Sequence, residues 1–171
     1  MIIAEPHLDV VEEYEKLAKT ICTPPLAINT VLNRDIKIVE HNESVKDVVE
    51  KIYKSGNSNF PVYKDGMLIG VANSRKLIKE IGKKIYEKKD INEYLENTNI
   101  EDAINEFGQD TYYTIANKDV TLDKILNLFS ENRKLSLIII TETGSLLEQP
   151  IGVVAIGDIM DVNKELDNFS V

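Results

Sequence analysis

The stretch FPVYKDGMLIGVA, residues 60–72, decides the fold, because two β-rich runs stand on either side of an Asp-Gly pair. Asp65 and Gly66 suit the left-handed backbone of a two-residue turn, which makes this the strongest β-hairpin signal in the chain. We predict strands over residues 60–63 and 67–72. Asn73 can then cap a helix that runs through the apolar residues Leu77, Ile78 and Ile81.

Upstream of the hairpin, the sequence predicts one strand and one helix. Residues 36–40 have the composition of a short strand, and Asn42 or Ser44 can cap the helix that follows. The apolar stripe of this helix recurs at three- and four-residue steps and consists of Val45, Val48, Val49, Ile52 and Tyr53. The whole unit is therefore β-α-β-β-α.

The same order of elements returns in the second half of the chain, so the sequence contains an internal repeat. Its predicted strands and helices cover residues 112–116, 121–131, 135–141, 151–155 and 157–166. An isolated unit of this size leaves one sheet face exposed, so the two copies are expected to pack sheet to sheet. The predicted fold class is α+β, with two repeats related by pseudo-twofold symmetry.

The remaining segments lie before and between the repeats. Apolar residues recur at helical spacing over residues 6–21, and the Thr23-Pro24-Pro25 sequence ends this N-terminal amphipathic helix. A polar helical connector precedes the second repeat. The expected division is an N-terminal helix and linker, a first repeat, the connector and a second repeat, over residues 1–25, 26–86, 87–111 and 112–171.

Composition predicts an ordinary globular protein of the cytoplasm. The chain has 29 acidic and 20 basic residues, and its net charge of −9 repels nucleic acid. Its single cysteine, Cys22, has no partner for an internal disulfide. The sequence shows no signal peptide and no apolar run of the roughly 20 residues needed to span a bilayer. We therefore expect no nucleic-acid partner and no membrane segment.

Motifs for catalysis are missing from the sequence. It contains no phosphate-binding P-loop, dinucleotide fingerprint, zinc-protease helix or nucleophile elbow. His7, His41 and Cys22 lack the spacing of a metal site or of a nucleophile with its base. We expect neither an enzyme nor a metal site.

The repeats carry a family resemblance. They resemble CBS motifs, the regulatory repeats named after cystathionine β-synthase, in a distributed set of segments: residues 28–36, 42–45, 60–62 and 67–72 in the first copy, and 119–122 and 151–160 in the second. This resemblance implies a non-catalytic regulatory pair. Its cleft would bind an adenosine-containing ligand such as AMP, ATP, cyclic di-AMP or S-adenosylmethionine.

The resemblance also implies a set of ligand-binding residues in the second copy. Asp158 occupies the family's Asp position, where a carboxylate can accept hydrogen bonds from a ribose diol, but Ala155 replaces the family's Ser or Thr. Asp158 could instead only cap its helix, and Thr114 could be an ordinary strand residue. The implied set is Thr114, Ile115, Ala116, Ile151, Val153, Ala155, Gly157 and Asp158.

The first copy departs further from the family. Asn73 stands at the Ser/Thr position, and Lys76 replaces the Asp, although a cation cannot accept ribose hydrogen bonds. This second, weaker cleft, implied to contain Ile38, Asn73, Arg75 and Lys76, is therefore empty, structural, or remade for an anionic ligand. We expect one adenosine ligand per chain.

Two functional hypotheses remain open at the level of sequence. In the leading one, the pair senses an adenine nucleotide or related ligand and signals to an unidentified effector protein. In the alternative, the pair is a ligand-free dimerisation or interaction scaffold. We expect a homodimer in either case, and the apolar stripe of the N-terminal helix either adds to its interface or folds back onto its own module.

Overall fold

The computed structural model describes residues 7–31, 36–108 and 112–169. In the first half of the chain the elements are α1 (Leu8–Cys22), α2 (Ala27–Val31), β1 (Val39–Glu40), α3 (Val45–Ser55), β2 (Asn59–Lys64), β3 (Met67–Asn73) and α4 (Ser74–Tyr86). The second half contains α5 (Ile91–Asn97), α6 (Ile100–Asn105), β4 (Tyr113–Asn117), α7 (Leu122–Glu131), β5 (Leu137–Thr141), β6 (Gly152–Ala155), a 3₁₀ turn (Ile156–Asp158) and α8 (Ile159–Phe169).

The first repeat folds as the predicted β-α-β-β-α unit. Its sheet has the order β1-β2-β3, with β1 parallel and β3 antiparallel to β2. Asp65 and Gly66 both have positive φ, 49° and 81°, which confirms the tight turn. The Ser44 and Asn73 side chains cap α3 and α4, each accepting a hydrogen bond from a backbone N–H three residues later.

The second repeat has the same topology, with sheet order β4-β5-β6. Its longer hairpin loop reaches the first repeat, because Tyr63 Oη donates to the carbonyl of Glu148 at 3.0 Å. The backbone N–H of Leu68 also donates to the carbonyl of Leu146 at 2.8 Å. This longer hairpin loop is therefore a contact between the two repeats.

The sheets pack against each other, as predicted. Alternate residues of a strand face opposite sides. Leu137 and Ile139 of β5 accordingly join the core of the first repeat, whereas Ile138 and Ile140 join a second core with α7 and α8. β5 is buried along its whole length.

Segments outside the repeats close both cores. The connector helices α5 and α6 cover the first core with Tyr94, Ile100 and Ala103. Gly70 permits the close approach of α6, because a Cβ there would lie 2.7 Å from Ile104 Cδ1. The short helix α2, which the predicted boundary at residue 26 groups with the first repeat, packs through its first residues against the second core.

The N-terminal helix forms, but its apolar stripe does not fold back onto the module. Leu8, Tyr14 and Ile21 are 79%, 69% and 70% exposed. Tyr53 and Ile78, which the sequence places on core-facing stripes, are also exposed, at 88% and 69%. In the described ranges, none of the helices combines the length and apolar character needed to cross a bilayer.

Candidate functional site

Two clefts lie where one repeat meets the other. In each cleft, the start of a middle strand from one repeat faces the end of the last strand and the following helix of the other repeat. We name them the Asp158 cleft and the Lys76 cleft. Their volumes are about 370 and 590 Å³.

The Asp158 cleft combines a carboxylate with both apolar and polar wall residues. β6 ends at Ala155, and the 3₁₀ turn places Asp158 so that its Oδ2 accepts a hydrogen bond from the Ala155 N–H at 2.7 Å. The carboxylate thus caps the turn and also lines the cleft. The lining residues are Ile36, Lys37, Ser55, Asn57, Ser58, Asn59, Pro61, Leu137, Val153, Ala155 and Asp158.

The three residues of the implied set that lie on β4 do not join Asp158. Thr114 and Ile115 line a different groove, beside Ile69 and Leu146, and Ala116 packs against the second core. The cause is the strand order β4-β5-β6, which puts β5 between β4 and the strand that leads to Asp158. Adjacent strands lie about 4.8 Å apart, so β4 is roughly 10 Å from β6.

The place expected for β4 is taken by the segment before β1. Ile36 and Lys37 of the first repeat line the Asp158 cleft together with the start of β2. The ligand was predicted to lie between the two repeats, but the residues implied for each cleft came from one repeat, whereas each cleft draws residues from both. Pseudo-twofold symmetry between the repeats was the signal that could have suggested this exchange.

The other residues of the implied set divide between the cleft and its surroundings. Val153 and Ala155 lie in the cleft with Asp158. Ile151, at the far end of β6, packs against the second core and donates its N–H to the carbonyl of Ile140. Gly157 is exposed in the 3₁₀ turn and is not one of the lining residues.

The Lys76 cleft is cationic. Asn73, Arg75 and Lys76 lie in it as the sequence analysis grouped them, whereas Ile38 packs against the first core. Lys79 also lines this cleft and was not among the residues implied for it. The described lining is Ser58, Asn59, Asn73, Ser74, Arg75, Lys76, Lys79, Tyr112, Arg133, Lys134, Leu135, Ser136 and Ile156.

Fixed side chains form the floor of the Lys76 cleft. Lys76 Nζ donates to the carbonyl of Phe107 at 3.2 Å and lies 5.3 Å from the centre of the Tyr112 ring. Tyr112 in turn donates its hydroxyl to the carbonyl of Val71, and burial raises the pKa of this phenol, so it stays neutral. The hydrogen bond therefore holds the Tyr112 ring in place next to the Lys76 ammonium group.

The two clefts meet at Ser58 and Asn59, which line both. Asn59 is held in place because Asn73 Nδ2 donates to its Oδ1 at 2.6 Å. The shared wall joins the start of β2 to the end of β3. Neighbouring residues of one strand thus contact both clefts.

Metal ions in proteins are held by clusters of His, Cys, Asp or Glu side chains. Among residues 7–31, 36–108 and 112–169, no group of three or more His, Cys, Asp or Glu side chains is arranged to hold a metal ion. The lining residues of the two clefts likewise include neither histidine nor cysteine in that part of the chain.

Two β-α-β-β-α units, packed through their sheets around paired clefts, form the fold expected of the repeats that the sequence resembles. Residues 28–83 match the family model described as the CBS domain. This segment corresponds to the first repeat, and the second repeat has the same topology. No curated protein matches the chain.

Solved structures of CBS-domain proteins share the fold. A signal-transduction protein with CBS domains from Burkholderia ambifaria MC40-6 is 16% identical, with a TM-score of 0.58, over 80% of this chain and 91% of that one. The CBS domain pair of protein MJ0100, in complex with 5′-methylthioadenosine and S-adenosyl-L-methionine, is 17% identical, with a TM-score of 0.57, over 83% and 98%.

A third similar structure is the CBS domain of a bacterial CNNM/CorC family Mg²⁺ transporter in complex with ATP. It is 15% identical, with a TM-score of 0.59, over 90% of this chain and 96% of that chain. At these identities the likeness concerns the fold.

Proposed function

We propose that this protein is a regulatory module that binds an adenosine-containing ligand in the Asp158 cleft. The observation that carries the proposal is the position of the Asp158 carboxylate on the wall of a cleft that also has apolar lining residues. A carboxylate can accept hydrogen bonds from both hydroxyls of a ribose, and such bonds are charge-assisted. Structures of the same fold contain S-adenosylmethionine, methylthioadenosine or ATP.

The walls of the cleft suit the base as well as the sugar. Pro61, Leu137 and Val153 provide apolar surface for a purine, and Asn57 and Ser58 provide polar groups. A volume of about 370 Å³ lies in the range of small-molecule sites, which begins near 300 Å³. Ala155 offers no hydroxyl, so the ribose depends on Asp158 more strongly than where a Ser or Thr is present.

The proposed activity is sensing without catalysis. No catalytic constellation is formed by the residues that line the clefts in the described part of the chain. Ligand binding would be transmitted to an effector protein in the cytoplasm or across a homodimer. The exposed stripe of α1, with Leu8, Tyr14 and Ile21, offers surface for such a contact.

A ligand panel tests this proposal. The protein is titrated with AMP, ATP, cyclic di-AMP and S-adenosylmethionine by calorimetry and by thermal unfolding. A ligand at 100 times its dissociation constant adds about 2.7 kcal/mol to the free energy of unfolding, equivalent to roughly 5–11 °C in Tm for a domain of this size. We expect at least one of the four to bind with a stoichiometry of one per chain.

The matched variants are Asp158→Ala and Asp123→Ala. Both remove an acidic residue from the start of a helical segment, but only Asp158 lines the cleft. Asp158→Ala should weaken binding about tenfold or more, because a hydrogen bond to a charged group contributes about 1.5–3 kcal/mol. Equal binding by the two variants would show that Asp158 only caps its turn.

The alternative function is a ligand-free dimerisation scaffold. The observation that favours it is the engagement of the Asp158 carboxylate with the backbone of its own turn. This scaffold would show no heat with any member of the panel and would still form a dimer of about twice 19.3 kDa in light scattering. A ligand-dependent Tm would contradict it.

A further inference from the structure

We propose that the Lys76 cleft binds a compact polyphosphate group, such as pyrophosphate or triphosphate, either free or as the phosphate chain of a nucleotide. This ligand class differs from the nucleoside proposed for the Asp158 cleft, and the inference does not depend on that proposal. It rests on the concentration of positive charge in one cleft of a strongly acidic protein.

The charges come from both repeats. Arg75, Lys76 and Lys79 lie on the first turns of α4, and Arg133 and Lys134 lie between α7 and β5. Five of the 20 basic residues of the chain thus line a single cleft, although the net charge is −9. None of the described residues that line this cleft is acidic.

The arrangement suits a ligand with several negative groups. Cations from two different repeats can contact different phosphates of one ligand. Arginine guanidinium groups pair with two phosphate oxygens at once, so Arg75 and Arg133 can fix orientation as well as charge. α4 also begins at the cleft, and the positive end of its dipole adds to the attraction.

The same features disfavour a nucleoside or a long nucleic acid. Lys76 stands where a ribose-binding carboxylate would be needed, and an ammonium group cannot accept hydrogen bonds from a diol. The cleft holds about 590 Å³, a volume suited to a small molecule. Outside it, a long polyanion would meet a protein surface of net negative charge.

Calorimetric titration with inorganic pyrophosphate and triphosphate tests the inference. We expect one ligand per chain, tighter binding for triphosphate than for orthophosphate, and an affinity that falls as salt rises. The Arg75→Ala/Arg133→Ala double variant should lose affinity about tenfold or more, since two charge-assisted contacts are removed.

The matched control is Lys124→Ala/Lys164→Ala. It removes the same two charges from exposed positions on α7 and α8 that do not line the cleft. Its affinity for pyrophosphate should change by less than about twofold, because exposed charges at a distance are screened. Equal losses in both double variants would mean that only the net charge matters, and would overturn the inference.

Two further ligands identify the source of the phosphates. If ATP loses affinity in the Arg75→Ala/Arg133→Ala variant while adenosine does not, a nucleotide can supply the polyphosphate. If pyrophosphate and triphosphate bind and ATP is unaffected by the double variant, the ligand is the free polyphosphate. Both results support the site.

Failure of this inference is distinguishable from failure of the nucleoside site. Asp158→Ala should leave pyrophosphate binding unchanged. Absence of heat with pyrophosphate and triphosphate at millimolar concentration, in a protein that still binds AMP or S-adenosylmethionine, would overturn the polyphosphate site alone. If the protein binds pyrophosphate but none of the adenosine ligands, the polyphosphate site is supported and the proposed function is overturned.

Discussion

The two clefts are built from equivalent elements and carry side chains of opposite charge at one equivalent position. Asp158 lies three residues after Ala155 at the end of β6, and Lys76 lies three residues after Asn73 at the end of β3. One side chain offers hydrogen-bond acceptors and the other an ammonium group. The repeated backbone therefore sets the place of a ligand, while single side chains decide its chemistry.

The cores of the two repeats are completed by different segments. Each is closed by helical segments from outside its own β-α-β-β-α unit: α5 and α6 for the first, α2 for the second. The first repeat also has a half-buried ion pair, because Lys84 Nζ donates to both carboxylate oxygens of Glu106, at 2.8 and 3.1 Å. This pair ties the connector to α4.

The largest effect is expected from the connector. Ile100 is fully buried in the first core, so Ile100→Ala should lower the free energy of unfolding by about 2–5 kcal/mol. Urea denaturation followed by circular dichroism measures it. Ile78→Ala, at a position 69% exposed on α4, serves as the control and should change stability by less than about 0.5 kcal/mol. Similar values for the two variants would mean that the connector does not close this core.

A smaller effect should follow from making the clefts alike. Lys76→Asp places a carboxylate at the position equivalent to Asp158, so we expect the calorimetric stoichiometry of the bound adenosine ligand to rise from one towards two. The added contact contributes about 1.5–3 kcal/mol. Lys76→Ala removes the ammonium group without adding an acceptor, so the stoichiometry of the adenosine ligand should stay at one per chain. Identical stoichiometries for the two variants would show that other residues exclude the nucleoside.

The smallest effect concerns pH and the Lys84–Glu106 pair. The hydrogen bond from Lys84 lowers the pKa of Glu106 below its ordinary value of 4.5. A carboxyl group with a lowered folded-state pKa adds stability above its unfolded pKa, and this is lost as pH falls through the folded value. The stability difference between wild type and Glu106→Gln should therefore shrink below about pH 4.5.

Urea denaturation at pH 7 and in the acid range below 4.5 measures this difference. Asp123→Ala, at an exposed helix start in the second repeat, is the control for general acid effects. A Glu106→Gln difference that is the same at both pH values would show that the ion pair does not stabilise the folded state.

Local signals in the sequence were sufficient for the repeat. The Asp65-Gly66 turn and the Asn73 cap depend on neighbouring residues, so their positions follow from residue types. The cap of α3 was predicted as Asn42 or Ser44, and the structure shows Ser44. Long-range packing was harder to predict. Periodicity places Ile78 and Tyr53 on apolar stripes, but whether another element covers a stripe depends on the tertiary fold.

The composition of the clefts was the part least accessible from the sequence. Asp158 and Lys76 were identified because the family resemblance marks their positions in the two repeats. Their partners Lys37 and Arg133 come from the other repeat, far away in the chain. Thr114 was misplaced for the same reason, since strand order and not sequence distance decides which strand lies next to β6.

The most direct test of separate ligand chemistries is the mapping of amide chemical shifts by nuclear magnetic resonance, first with AMP and then with pyrophosphate. We predict that AMP perturbs chiefly the amides of Val153, Ala155 and Asp158, and that pyrophosphate perturbs chiefly those of Arg75, Lys76 and Arg133. Perturbation of the same cleft by both ligands, or of neither cleft by either ligand, would contradict the account.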